Sequence, residues 1–107
     1  MRKSGLSRVV SYHRAGRLVP LSARGLRART VVLNAGQCMD WHSTHDREEL
    51  LIALRGQVRV DVASSRITHH RRLLAGHCLF IPQQTRHRVV NRSRRLAAYC
   101  YVTAPLP

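Results

Sequence analysis

Aromatic and acidic side chains are scarce in this chain: one Phe, one Trp and three Tyr stand beside only five Asp and Glu among 107 residues. So few rings leave little surface on which nucleic-acid bases could stack, and no nucleic-acid-binding motif accompanies them. Long apolar runs are missing too. Leu50–Leu54 has the length of a strand, far short of a bilayer-crossing helix. No extended segment holds a helical period, which argues against a helical bundle. The basic N-terminus lacks an apolar stretch of the secretory type, so we expect a cytoplasmic protein. Cysteine is limited to Cys38, Cys78 and Cys100, an odd number that fits reduced thiols better than a disulfide framework. Neither internal repeats nor a linker divides the chain, and its length suits one core.

What the chain has in excess is arginine. Lys and Arg total 19, eighteen of them Arg, for a formal charge of +14. Residues 1–39 hold eight basic side chains and no acid; residues 40–107 hold eleven basic and five acidic ones. The charge is spread rather than gathered in a stripe, so it implies a solvated surface and at most unspecific association with polyanions.

Residues 1–28 read as a basic arm with one or two edge strands, and residues 29–107 as a regular β domain. Thr30–Asn34 and Cys38–His42 look like strands joined by a bend at Ala35–Gly36. Ser43–Arg47 is polar and should turn. Glu49–Leu54 is nearly continuous in apolar character, the pattern of a strand covered on both faces. Gln57–Val62 alternates, placing Val58, Val60 and Val62 inward. Ile67–Leu74, His77–Ile81, His87–Asn91 and Leu96–Thr103 complete the set. Short strands separated by Gly, Pro and Ser predict an all-β sandwich or barrel.

Three residues in this pattern can share one metal ion. If Ser43–Arg47 turns, His42 ends one strand and Glu49 opens its antiparallel neighbour, so that the side chains meet across the pair. His87 enters from a strand that follows Pro82, on the same face as Val89 and Asn91, while Arg86 and Arg88 point away. Two imidazoles and a carboxylate form a facial set that leaves coordination positions open. Trp41 should face the side opposite His42. Arg55 shares the face of Glu49, Tyr99 and Tyr101 share one face of the last strand, and Cys38 lies four residues before His42. His69 and His70 fall in a polar return strand and read as solvated.

The two segments that carry these residues, Gly36-QCMDW-His42-STHDRE-Glu49-LLIALR-Gly56 and Gly76-HCLFI-Pro82-QQTR-His87-RVV-Asn91, resemble the two motifs of the cupin superfamily. The resemblance implies a double-stranded β-helix, or jelly-roll barrel, with His42, Glu49 and His87 as ligands of a divalent transition metal such as Fe, Mn, Ni or Zn. The second histidine of the first motif falls on Thr44, with His45 one residue late. His45 becomes a fourth ligand if Ser43–Thr44 bulges and points away from His42 if the strand is regular. Gln84 stands where the second motif has Gly, so a turn that favours positive φ must be made without it.

Three function classes follow. The first is a metal-dependent enzyme, dioxygenase-like by analogy, acting on a small molecule in the barrel. The second is a non-catalytic cupin that holds a metal or small ligand, and the third a basic polyanion binder. The expected partners are a small-molecule ligand and a second copy in a homodimer, with no specific nucleic acid and no membrane.

Overall fold

Alternation of apolar and polar residues, interrupted at short intervals by Gly, Pro and polar turns, yields nine strands among the described residues. The computed structural model describes residues 7–107, so residues 1–6 of the expected basic arm lie outside the described residues. In chain order the strands are β1 (Gly16–Arg17), β2 (Arg27–Leu33), β3 (Cys38–Ser43), β4 (Arg47–Arg55), β5 (Gln57–Ala63), β6 (Thr68–Leu74), β7 (Cys78–Ile81), β8 (Arg86–Val90) and β9 (Ala97–Pro105). No helix occurs among the described residues, and none is therefore long and apolar enough to cross a membrane.

The strands form two antiparallel sheets, ordered β1-β2-β9-β4-β7 and β3-β8-β5-β6. Consecutive strands often lie in different sheets, so the chain winds back and forth between them. This is the jelly-roll architecture expected from the sequence. Val31, Leu33, Leu51, Ala53 and Tyr99 from one sheet meet Val58, Val60, Leu73 and Val89 from the other. A period of two places each of these side chains inward by parity.

β4 departs from expectation. Glu49, Leu51 and Ala53 are buried, but Leu50 is 37% exposed, and its cross-strand partner Phe80 is 55% exposed. Among the described residues the strand is therefore covered on one face only, because no third layer packs on that half of the sheet. The β2–β9 half of the same outer face is partly covered by the N-terminal segment, where the Thr30 hydroxyl donates to the Tyr12 carbonyl at 2.8 Å. Gly56 closes the turn after β4 with φ 68°, and a Cβ there would meet the Leu96 carbonyl oxygen at 2.8 Å.

Asn91 and Asp61 are two of the polar residues that are buried completely. Asn91, just beyond β8, donates its amide to the carbonyls of Leu33, Asn34 and Arg95 and accepts from Ser93. It thereby ties the end of one sheet to the turn leaving the other. Asp61 points to the outer face of β5, as alternation requires, yet it is buried because its neighbours close over it. His70 Nδ1 lies at 2.6 Å, Arg59 Nε at 2.8 Å and Arg88 Nε at 2.7 Å from its carboxylate. His70 is thus anchored rather than simply solvated.

Burial pushes the Asp61 carboxyl up, but the bonds from His70, Arg59 and Arg88 outweigh it and hold the pKa at about 2, against an ordinary 3.8. With the folded value below the unfolded one, the stabilisation is complete above the ordinary value and is lost as pH falls towards 2. We expect about 2 kcal/mol of stability to disappear over that interval. Urea unfolding measured across the acid range should show this loss in the natural chain and a flatter acid limb in Asp61→Asn.

Candidate metal centre

His42 and His87 are opposite one another in the β3–β8 ladder, with a register shift between Met39 and His42. Their ring centroids are 4.3 Å apart. Glu49 comes from the other sheet, where it pairs with Thr103 on β9 and Ile81 on β7. The expected hairpin between His42 and Glu49 is therefore corrected: β3 and β4 do not pair. The polar turn after Ser43 carries the chain from one sheet to the other, so Glu49 meets the histidines across the barrel interior. A local turn signal cannot separate a hairpin from a crossing between sheets, since both need the same polar residues.

One nitrogen or oxygen from each of His42, Glu49 and His87 falls within 4.8 Å of the others. Glu49 Oε2 and His87 Nε2 are 3.2 Å apart; two ligands bound to one ion at 2.0–2.2 Å would be about 3.0–3.4 Å apart. His42 Nδ1 lies 2.8 Å from the Asp40 carbonyl, and His87 Nδ1 lies 3.2 Å from the Thr85 carbonyl. Donation to those carbonyls fixes the tautomer and leaves Nε2 of each ring as a free donor atom, an arrangement typical of metal-binding histidines. The contact to Glu49 makes the same point. A neutral His87 has one N–H for two oxygen neighbours, so a cation between Nε2 and the carboxylate satisfies all three groups. The residues present fit a divalent transition ion.

His87 is fully buried and Glu49 nearly so, whereas His42 is exposed towards the cavity. The cavity measures about 800 Å³ and opens onto all three residues. Tyr99 and Tyr101 line it. Burial pushes the Tyr99 phenol pKa up, and the Glu49 carboxylate and Tyr101 add to the effect. Tyr99 therefore stays protonated, as a packing wall and a hydrogen-bond donor.

The Thr44/His45 pair is resolved. Thr44 is buried; its hydroxyl donates to the Pro82 carbonyl at 2.7 Å and accepts from the Thr85 amide at 3.1 Å. His45 occupies the turn with φ 53° and lines the cavity, but it is not among the three residues brought together. The bulge lies earlier in β3, between Met39 and His42, not at Ser43–Thr44. Gln84, in the glycine position of the second motif, adopts φ 54° all the same. Its amide donates to the His45 carbonyl at 2.7 Å. Two non-glycine residues in the left-handed region, bonded to each other beside the site, hold strain of order 1 kcal/mol each.

Other residues weighed from the sequence fall elsewhere. Cys38 is exposed, and neither it nor Arg55 lines the cavity. Trp41 does face away from the site, and the guanidinium groups of Arg86 and Arg88 lie 5.5 and 5.1 Å from its ring centroid. The sequence reading missed the wall built by the N-terminal segment, where Arg17, Arg24, Arg27 and Arg29 line the cavity. The available signal was parity, because Arg27 and Arg29 share the inward face of β2 with Val31 and Leu33. Arg47 closes the same side. Its guanidinium donates to the Thr103 hydroxyl at 2.8 Å, to the Thr103 carbonyl at 3.0 Å and to the Gly25 carbonyl.

A family model described as "Cupin domain" matches residues 29–103. No curated protein sequence matches the chain. Among solved structures, a Thermus thermophilus protein called TT1209 aligns with TM-score 0.72 at 25% identity, covering 92% of this chain and 91% of that one. The cupin domain of Schizosaccharomyces pombe Cnp3 aligns with TM-score 0.75 at 15% identity, covering 86% and 64%. An oxalate oxidase aligns with TM-score 0.71 at 19% identity, covering 76% and 42%. The chain thus spans less than two thirds of the Cnp3 and oxalate oxidase chains, and the likeness to them is one of fold.

Thr44→Val keeps the shape of its side chain but leaves the Pro82 carbonyl and the Thr85 amide without their partner. We expect a loss of about 1–3 kcal/mol in denaturant unfolding.

Proposed function

The chain belongs to the cupin domain family, and on that premise we propose that it binds one divalent transition metal through His42, Glu49 and His87 and acts on a small organic molecule held in the barrel. The supporting observation is the meeting of three donor side chains from two sheets at the floor of a cavity large enough for an organic ligand. When bound, such an ion supplies Lewis-acid polarisation and open coordination positions. The chain's own residues orient the donors through the Asp40 and Thr85 carbonyls, bury Glu49 and His87, and wall the cavity with Tyr99 and Tyr101. We assign the activity to dioxygenase-like oxidation, by analogy with the family. A non-catalytic module that holds the same ligand is the second reading, and it rests on the same cavity. Fe, Mn, Ni and Zn all accept this donor set.

The reading extends to two further points. Three unpaired thiols suit a reducing compartment, in keeping with a cytoplasmic location. Leu50 on β4 and Phe80 on the short edge strand β7, paired side by side, form the face on which a second copy packs in a homodimer.

Metal analysis of protein purified without a metal-binding tag tests the centre. We expect about one ion per chain by its ligand chemistry, a near-complete loss in His87→Ala with unchanged circular dichroism, and retention in His45→Ala. Absence of metal after growth in replete medium would sink the reading. Oxygen uptake by the loaded protein with candidate substrates separates enzyme from binding module. For the dimer, sedimentation equilibrium should give twice the chain mass for the natural protein and the single mass for Phe80→Glu.

A further inference from the structure

The inward face of β2 changes chemistry along its length. Its deeper positions, Val31 and Leu33, belong to the core, whereas Arg27 and Arg29, on the same face nearer the opening, line the cavity. An inward strand position normally carries an apolar side chain; Arg27 and Arg29 instead set two solvent-exposed guanidinium groups around the cavity, free to meet an entering ligand. Among the described residues, neither Arg27 nor Arg29 has a carboxylate within 4.0 Å or a side-chain hydrogen bond. Three carboxylates line the cavity. Glu49 belongs to the donor group, Asp40 accepts from the Trp41 amide at 2.7 Å, and Asp46 makes no ion pair with either arginine.

Register places the two arginines with respect to the metal centre. Arg27 pairs with Thr103, and Thr103 pairs on its other side with Glu49. Arg27, Thr103 and Glu49 therefore form one row across the sheet, with about 10 Å between the backbones of Arg27 and Glu49. Arg29 stands in the neighbouring row opposite Tyr101. On the facing sheet Met39 and Val89 give the cavity wall an apolar patch beside the polar Asp40, His42, Ser43 and His87.

We propose that Arg27 and Arg29 form a clamp for the oxyanion headgroup of an amphiphilic organic anion, whose body lies along Met39, Val89 and Tyr101 and whose other end reaches the His42–Glu49–His87 floor. The guanidinium fork matches carboxylate and phosphate oxygens alike, so the ligand class is an organic acid or a phosphate monoester with an apolar body. The two arginines act in specificity, selecting charge and setting the orientation in which a ligand enters. This inference rests on the reading of the cavity as the ligand-binding site.

Calorimetric titration of the full chain, metal-free and zinc-loaded, tests it with 4-phenylbutyrate, its uncharged amide and phenyl phosphate as probes. The expected result is saturable binding of at least one anion, with the amide at least tenfold weaker. Arg27→Gln/Arg29→Gln should lose at least tenfold in affinity for that anion, with circular dichroism and zinc content unchanged. Preference for the butyrate or for the phosphate identifies the headgroup. Equal binding of acid and amide, an unaffected double variant, or no anion binding in either metal state overturns the clamp. Loss of zinc uptake with arginine-dependent anion binding intact would overturn the metal reading and leave the clamp standing.

Discussion

A buried carboxylate facing a buried imidazole across two sheets is the constraint around which the molecule is organised. Glu49 and His87 approach to 3.2 Å from opposite layers, in surroundings that expose almost none of either. Removing two such groups from water costs several kcal/mol each unless charge and hydrogen bonds are matched. The pairing of β3 with β8 brings His42 alongside, and the Thr85 and Asp40 carbonyls hold the two rings. The sheets must therefore face each other in one register. A one-residue slip of β4 would turn Glu49 to the outside and Leu50 to the inside.

Elsewhere the same rule of matched polarity applies with different partners. Asp61 is as deeply buried as His87 but lies on the outer face of its sheet, where two guanidinium groups and an imidazole from three strands close over it. Asn91 uses its amide on backbone groups and the Ser93 hydroxyl at the end of the barrel away from the donors. Strand edges follow a related logic: β6 bears His69, His70, Arg71 and Arg72, charges that discourage edge-to-edge pairing, and β7 is only four residues long. The uncovered apolar pair, Leu50 and Phe80, stands at that short edge.

Much of this was legible beforehand. Val58, Val60 and Val62 alternate without interruption, so β5 and its inward face follow from a period of two. Glycine and proline marked the turns, and strand ends differ from expectation by only a few residues. Residue type and spacing pointed to His42, Glu49 and His87, the three residues that come together in the fold. Less could be read about connections. The polar turn after Ser43 looks the same whether it closes a hairpin or crosses between sheets, and it crosses. Leu50–Leu54 looks two-sided because a run of apolar residues does not reveal whether a third layer exists. Thr44 and Gln84 owe their roles to partners nearly forty residues away, which no local pattern reports.

Strand content and inward parity were determined by the sequence itself, since each depends on side-chain chemistry repeated over a few neighbouring residues. Tertiary structure decided which strands pair, that Glu49 reaches the histidines across the barrel, that His45 stays outside the donor group, and that Arg27 and Arg29 look into the cavity unpaired. The division has a physical reason. Burial and strand propensity act locally, whereas donor geometry and charge pairing depend on contacts between residues far apart in the chain, and those distances exist only once the two sheets have closed.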